Sequence, residues 1–415
     1  MKDYYLWEKQ PAEQFWDAHY LGNGSLGMSV MGAPVLEEVY INEDTLWSGS
    51  EGFYLNPQHY DRFTEARRLA REGRGKEANT IINNDMEGRW LETYLQLASL
   101  HITMGQADNR RNMPLKMVIE PQPGDIEDYR RCLSLSDAME TVSWIRDGIR
   151  YRREYFVSYP DRTAYVYCTA EPKEGGSRGK VLDFAFGVDS SLHYINGAED
   201  GEAFLTGIAP DHAEPSYTAV APRFIYKDPE NSDALRFACC ARVISTDGTV
   251  ASDGARVYVN GASYALLAVR AGTSYAGFRV PRDRDAGKVL EELRKGLDGL
   301  QKAGRDYEGA RKDHVTDYQA LYNRVDLDLG TELSGNLPTT QRLHFCGEGV
   351  DDPSLAALML QYSRYLTIAG SRPGMQARNR QGVWNDTPNP PRSSNYTNDI
   401  NVEMNYWPCE VLGLP

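Results

Sequence analysis

The sequence predicts a large antiparallel β-sandwich followed by a series of helices. Between residues 94 and 275, short runs rich in Val, Ile, Tyr and Phe alternate with Gly, Asp, Asn and Pro clusters, which is typical of strands joined by turns. After residue 281 the apolar residues instead recur every three or four positions, as they do along amphipathic helices. Because little helical pattern interrupts the strands, we expect two antiparallel sheets packed face to face.

Length and composition indicate a globular protein with more than one domain. The chain has 415 residues, of which 41% are hydrophobic and 25% are charged. Domains usually contain about 100–200 residues, so we expect two or three of them. The net charge of −14 argues against a protein that binds nucleic-acid phosphates. No stretch approaches about 18 consecutive apolar residues, so we expect no membrane-spanning helix.

The N-terminus and the cysteines favour a cytoplasmic location. Residues 1–24 lack the charged-then-apolar arrangement of a secretory signal. The six cysteines are scattered without a CxxC pair, so we expect reduced, buried thiols. The seven histidines are also scattered, and none lies between 345 and 415. We therefore predict no metal site and no cofactor, and we interpret His19, His101 and His314 as packed or surface residues.

The first 84 residues begin the sandwich and add a helical segment. Residues 22–27 read GNGSLG, but no Lys-Ser or Lys-Thr pair follows as a phosphate-binding loop requires. A tight turn between strands is the better interpretation. The runs at 28–31 and 36–41 are predicted strands. Residues 57–84 change to a helical period with a break at 73–75, which indicates one or two surface helices.

Seven later runs are the clearest strand candidates. They share β-branched and aromatic residues and are bounded by turn residues. They lie at 115–119, 140–144, 151–158, 164–169, 181–188, 237–245 and 257–269. This number is large for an immunoglobulin-like module, so a larger two-sheet sandwich is expected.

Three helices are predicted after the sandwich. Residues 286–300 and 307–325 each place their large apolar residues on one face. A linker is predicted at 326–338. Residues 352–370 are apolar around most of the helix circumference, so we expect that helix to be buried.

The stretch 382–410 combines aromatic residues with Asn, Asp and Glu. Prolines 388, 390 and 391 predict an irregular loop before it becomes helical. Ile400, Met404, Trp407 and Val411 then form one apolar stripe, and Thr397 or Asp399 can cap the helix start. Two interpretations stay open. Asp399 is a simple helix cap with asparagines that brace neighbouring helices, or the stretch forms a sugar site of aromatic faces and short polar side chains.

Residues 396–408, YTNDINVEMNYWP, resemble the signature of glycoside hydrolase family 95. This family contains inverting α-L-fucosidases and also α-L-galactosidases. Further stretches at 22–27, 41–49, 314–325, 365–374 and 381–385 agree with the family in the same order along the chain. The resemblance implies a β + α multidomain fold. Its expected parts are an N-terminal β super-sandwich at 1–278, a helical linker at 279–348 and the incomplete start of a catalytic (α/α)6 barrel at 349–415.

The resemblance also implies candidate catalytic residues. In the family an Asn-x-Asn pair holds and activates a water molecule; Asn401 matches the second Asn, whereas Asp399 replaces the first. A carboxylate accepts a proton more readily than an amide, so Asp399 can serve as the base, although it can equally disturb the pairing. Thr397 is expected to face the sugar near C6, which would admit L-galactose beside L-fucose. The other expected substrate contacts are Trp384, Asn385, Glu403, Asn405 and Trp407.

The family's general acid and its second acidic partner lie beyond residue 415. On this ground we expect a truncated barrel and no hydrolysis by the chain alone. The expected partner is an L-fucose-containing glycan, with no nucleic acid and no membrane. Two alternatives remain: a carbohydrate-binding or interaction protein built on the sandwich, and a sandwich-plus-(α/α)6 disaccharide phosphorylase, for which the sequence shows no convincing phosphate site.

Overall fold

Two antiparallel sheets form the first two thirds of the protein, as the sequence predicts. A computed structural model describes residues 3–50, 59–86, 90–105, 125–173, 179–278, 280, 285–330 and 337–414. The predicted strand at 115–119 lies outside these residues. In chain order the strands are β1 (Tyr5–Glu8), β2 (His19–Gly22), β3 (Leu26–Val30), β4 (Leu36–Glu43), β5 (Ala98–Met104), β6 (Glu127–Ser134), β7 (Met139–Arg146), β8 (Ile149–Ser158), β9 (Thr163–Pro172), β10 (Leu182–Asp189), β11 (His193–Glu199), β12 (Glu202–Ile208), β13 (His212–Ala213), β14 (Phe224–Ile225), β15 (Arg236–Thr246), β16 (Thr249–Asp253), β17 (Arg256–Ala262) and β18 (Tyr264–Thr273).

The strands make one nine-stranded and one seven-stranded sheet. Their orders are β1-β6-β7-β8-β9-β18-β15-β12-β11 and β16-β17-β10-β5-β4-β3-β2, and β13 pairs with β14 in a separate ribbon. The predicted strand at 257–269 is wrong as a single element, because β17 ends at Ala262 and β18 begins at Tyr264. Gly261 adopts a φ of +58° before this break.

Side-chain alternation along β15 shows how the large sheet is covered on both faces. Phe237, Cys239 and Ala241 lie in the core between the two sheets. Ala238 and Cys240 point to the other face and pack with residues of the first two helices after the sandwich. Because both faces are buried, the strand reads as an almost continuous apolar run. The six cysteines are unpaired, and three of them are buried.

The described helices are α1 (His59–Arg71), α2 (Gly75–Ile81), α3 (Ala286–Lys302), α4 (Tyr307–Tyr322), α5 (Thr339–Gly347), α6 (Pro353–Gly370) and α7 (Ile400–Tyr406). The predicted break near 73–75 is confirmed, and the prediction had no helix at the position of α5. α6 is buried as expected except for a stripe of Ala356, Met359 and Ser363. No helix in the described ranges combines the length and apolar character needed to cross a membrane.

The GNGSLG segment packs against the C-terminal part of the chain. A Cβ on Gly22 would lie 2.5 Å from the carbonyl oxygen of Ala369, and one on Gly24 would lie 2.7 Å from the backbone nitrogen of Arg372. The N–H of Gly24 donates to the same Ala369 carbonyl at 2.8 Å. These glycines therefore permit close backbone approach between the sandwich and the end of α6, in addition to forming the predicted turn.

Candidate functional site

The loop between α6 and α7 has a strained but well-supported backbone. Arg392, Ser393 and Ser394 have φ values of 51°, 58° and 45°, and such left-handed residues cost about 1–2 kcal/mol each when they are not glycine. The N–H of Tyr94 donates to the Ser393 carbonyl at 3.0 Å, and the Ser394 hydroxyl donates to Oδ1 of Asn379 at 2.9 Å. Ser393 and Ser394 are buried. The surrounding contacts therefore hold this turn in one conformation.

Asp399 lies at the N-cap of α7, which confirms one of the two predicted caps. Its Oδ1 accepts the N–H of Ile400 at 2.5 Å, and the side chain is exposed. A carboxylate at this end also interacts favourably with the helix dipole. Asp399 and Asn401 are two residues apart, so their side chains can face one region only if Asp399 precedes the first turn of the helix. The N-cap position of Asp399 satisfies this condition.

Arg380 connects two of the predicted site residues. Its Nη1 donates to Oδ1 of Asn401 at 3.1 Å and to Oγ1 of Thr397 at 3.4 Å. Thr397 has a φ of +44°, and its hydroxyl donates to Oδ1 of Asn395. Thr397 and Asn401 are thus brought together with an arginine that no sequence motif predicts. One Arg in a loop produces no periodic pattern, so no local signal marks it.

Trp384 and Asn385 are placed away from any open surface. The indole of Trp384 is 5% exposed, and its N–H donates to the carbonyl of Leu21 at 2.7 Å. Asn385 is fully buried, and its side-chain N–H donates to the Tyr94 carbonyl at 3.2 Å. In the structure these two residues are buried, and their side-chain N–H groups bond to backbone carbonyls of the sandwich part. They therefore join the loop to the sandwich.

Asn405, Glu403 and Trp407 lie outside the Arg380 cluster. Nδ2 of Asn405 donates to the carbonyls of Arg378 and Asn379 at 3.3 and 3.2 Å, so Asn405 supports the loop. Glu403 is exposed. Trp407 is 62% exposed, beyond the last residue of α7. The structure therefore does not bring these three side chains together with Thr397 and Asn401.

The predicted helix around Trp407 is shorter than expected. α7 ends at Tyr406, and residues 407–413 form turns. The predicted apolar stripe faces solvent in this structure. Its members are Ile400 at 45%, Met404 at 54%, Trp407 at 62% and Val411 at 80% exposure.

Residues 43–47 of the sandwich form a wall next to Thr397. The ring of Trp47 stacks on Tyr396 with centroids 5.1 Å apart, and Oδ2 of Asp44 accepts the N–H of Gln376 at 2.8 Å. Burial, and then the neighbouring Asp44 carboxylate, raise the pKa of Glu43 well above its usual range. The polar and aromatic residues directly after β4 were the available sequence signal for this wall.

The histidines and acidic residues that the structure describes do not form a metal-binding group. In the part of the chain that the structure describes, no group of three or more His, Cys, Asp or Glu could hold a metal ion. His19 pairs with Glu140 at 2.8 Å and His101 with Asp189 at 2.9 Å. His314 is buried against the carbonyls of residues 137 and 138. The three histidines are packed, as the sequence analysis expects.

Comparisons with known proteins agree with this architecture. Residues 306–415 match the glycosyl hydrolase family 95 catalytic domain, and residues 6–277 match the glycosyl hydrolase family 65 N-terminal domain. Both matched models are domains of glycoside hydrolase families, so the chain is related to that class of protein. The match at 306–415 agrees with the resemblance to glycoside hydrolase family 95 that the sequence motifs predict.

Curated relatives match nearly the whole chain. Alpha-L-fucosidase 2 of Arabidopsis thaliana is 30% identical over 408 residues, covering 96% of this chain and 45% of the relative. Probable alpha-fucosidase A of Aspergillus niger is 26% identical over 426 residues, covering 99% of this chain and 48% of the relative. The chain therefore spans about half the length of the curated relatives it matches.

A solved structure shares the fold. The structure titled "Putative kojibiose phosphorylase from human microbiome" has a TM-score of 0.51 and 10% sequence identity, and the match covers 92% of this chain and 43% of that one. At this identity the likeness concerns the fold alone. It supports a β-sandwich followed by helices.

Proposed function

We propose that this protein acts in the inverting hydrolysis of terminal α-L-fucosyl residues of oligosaccharides or glycans, with α-L-galactosyl residues as a second substrate class. The match to the family 95 catalytic domain and the names of the curated relatives support the substrate class. The observation that carries the proposal is the arrangement at the start of α7. There, the exposed Asp399 carboxylate lies at the N-cap of the helix. Arg380 donates hydrogen bonds to the Asn401 amide oxygen and to the Thr397 hydroxyl.

The proposed step assigns Asp399 as general base and Asn401 as the group that holds the water. The water oxygen attacks the anomeric carbon from the face opposite the leaving group, and its proton passes to the Asp399 carboxylate. The bond between the anomeric carbon and the leaving oxygen breaks, and that oxygen takes a proton from a general acid. Inverting glycosidases place their two carboxyl groups about 6.5–9.5 Å apart to leave room for this water.

We also propose a division of the chain into three parts. Residues 1–278 form the sandwich domain, 279–348 the helical linker and 349–415 the beginning of a catalytic (α/α)6 barrel. The supports are the last sandwich strand, which ends at Thr273, and the packing of α3 and α4 on the large sheet. In this division the sandwich wall of Glu43 to Trp47 faces the catalytic part.

A glycosyl fluoride tests the role of Asp399 directly. Fluoride leaves without being protonated, so hydrolysis of α-L-fucosyl fluoride depends on the base and the water alone. We expect turnover that produces β-L-fucose first, observed by proton NMR. Asp399→Asn should lower the rate by about 10²–10⁴-fold. Glu410→Gln is the matched control because it alters an exposed carboxylate near the end of the chain and should leave the rate unchanged.

Two results would contradict this proposal. Initial formation of α-L-fucose excludes inversion, and an unchanged rate for Asp399→Asn excludes the base. The second substrate class is tested with α-L-galactosyl fluoride and α-L-fucosyl fluoride, which need no general acid. A strong preference for the fucosyl fluoride in kcat/KM contradicts the expectation that Thr397 leaves room at C6.

A further inference from the structure

The orientation of the Asn401 amide is fixed by an arginine. A guanidinium has five N–H donors and no acceptor. Because Nη1 of Arg380 lies 3.1 Å from the Asn401 side chain, the amide must turn its oxygen toward the arginine. Its NH2 group then points away from Arg380. The assignment does not depend on distinguishing oxygen from nitrogen by their positions, since the opposite orientation would set two donors against each other.

Arg380 is itself held by a short hairpin. Asn379 and Gly382 exchange two backbone hydrogen bonds at 3.1 Å each, which places Arg380 and Gln381 at the two central positions of the turn. Gly382 has a φ of +79°. The N–H of Gln381 donates to Oδ1 of Asn379 at 2.9 Å. The guanidinium therefore extends from a defined point of the backbone.

Two further elements hold the segment that carries this hairpin. Asp44 of the sandwich accepts the N–H of Gln376 at 2.8 Å, and Asn405 of α7 donates to the carbonyls of Arg378 and Asn379. The hairpin thus spans the gap between the sandwich and α7. The position of Arg380 at its tip therefore depends on both the sandwich and α7.

We propose that Arg380 is a positioning residue of the candidate site, and this proposal rests on the function proposed above. By binding Oδ1 of Asn401, it makes the amide a hydrogen-bond donor to the ligand. The NH2 group can donate to a lone pair of the water oxygen or of a sugar hydroxyl. In this arrangement Asn401 holds the water and Asp399 accepts its proton, which separates the roles of the two residues.

Thr397 belongs to the same hydrogen-bonded group as Arg380 and Asn401. Its hydroxyl hydrogen is used toward Asn395, and one of its lone pairs faces Nη1 of Arg380. Since a hydroxyl has one hydrogen and two lone pairs, Thr397 keeps a single acceptor position and no donor. Its contribution to a sugar is thereby restricted to a methyl contact or one accepted hydrogen bond.

Side-chain amide NMR tests the orientation without relying on turnover. The protein is labelled with 15N-asparagine, and the Asn401 signals are assigned as those lost in Asn401→Asp. We expect Arg380→Met to move these signals toward the shifts of free asparagine and Arg380→Lys to restore them in part. Arg392→Met is the control, because Arg392 is an exposed arginine of the same loop. Unmoved Asn401 signals in a folded Arg380→Met protein would overturn the proposal.

Ligand binding separates this inference from the proposed function. An iminosugar of L-fuco configuration should move the Asn401 signals of the wild type. Its Kd should rise about 10–100-fold in Arg380→Met, the effect of losing one well-placed hydrogen bond of about 1–3 kcal/mol. If the signals respond to Arg380→Met but not to the iminosugar, the positioning role stands and the proposed function fails.

A second pair of variants covers the case in which Arg380→Met does not fold. Arg380→Lys keeps a cationic donor, whereas Arg380→Gln offers a shorter, neutral one. The proposal requires the Asn401 signals to move further in Arg380→Gln than in Arg380→Lys. The reverse order contradicts it.

Discussion

Asn42 accepts the backbone N–H of Asn385 through its side-chain oxygen at 3.0 Å. This bond joins strand β4 of the sandwich to the loop that carries the candidate site. Trp384 and Tyr94 add two more bonds across the same boundary, to the carbonyls of Leu21 and Val383. The loop that carries the candidate site is therefore anchored to the sandwich. Substitutions at this boundary should lower the free energy of unfolding.

Replacement of Trp384 should test its structural role. Trp384→Ala removes a buried ring that packs on Tyr20 at 5.5 Å and leaves a cavity. We expect a loss of about 3–5 kcal/mol in the free energy of unfolding, measured by urea denaturation. Trp407→Ala is the control, since that ring is 62% exposed, and it should change stability by less than about 0.5 kcal/mol. Equal effects of the two substitutions would contradict the assignment.

Gly24 should be intolerant of any side chain. It combines a φ of +94° with a Cβ position 2.7 Å from the backbone of Arg372. Gly73→Ala is a matched control, because Gly73 has a φ of +79° and nothing within 4 Å of its Cβ position. The control isolates the cost of the left-handed backbone, about 1–2 kcal/mol. Gly24→Ala should lower the melting temperature clearly more than Gly73→Ala, and a similar decrease would exclude the close contact as a cause.

The buried Arg364 should be essential for joining α6 to its neighbours. Its guanidinium donates to the carbonyls of Tyr322, Val325 and Leu412 at 2.9–3.1 Å. Arg364→Met would remove this donor from the carbonyls of the buried Tyr322 and Leu412, at about 1–3 kcal/mol for each group that water cannot reach, whereas the Val325 carbonyl would keep the side-chain N–H of Gln361. We expect a loss of several kcal/mol by urea denaturation. Arg324→Met, which alters an exposed arginine bonded to carbonyls at the same corner, should have little effect.

Sequence patterns predicted the elements whose residues repeat and missed the contacts that depend on folding. Alternation revealed most of the sandwich, and the helical period revealed α3, α4 and α6. Trp384 was expected at a sugar site because an aromatic residue beside an amide has the same composition in a pocket and in an interface. In the structure the indole of Trp384 bonds to the Leu21 carbonyl at the boundary with the sandwich. Arg380 was missed because its partner Asn401 is 21 residues away, and no local pattern records that distance.

His314 of α4 gives the fold a defined response to acid. The ring is buried against Phe156 with centroids 5.0 Å apart. Its Nε2–H donates to the carbonyl of Asp137 at 3.0 Å, a bond that the protonated ring also makes. The charged groups that act on it are Asp317 and Arg372. Burial outweighs the two carbonyls and lowers the pKa of His314 to about 4.

Because the pKa is lower in the folded state than its usual 6.5, the neutral ring stabilises the protein fully above pH 6.5. This stabilisation is lost as the pH falls from 6.5 toward 4, since the unfolded chain binds the proton first. The loss at pH 4.5 should be about 2–3 kcal/mol. His314→Gln keeps an N–H donor but does not titrate, and comparison of the two proteins removes the effect of other groups. The difference in unfolding free energy between wild type and His314→Gln should shrink by this amount between pH 7 and pH 4.5. A difference that stays constant with pH would show that His314 is not the acid-sensitive group.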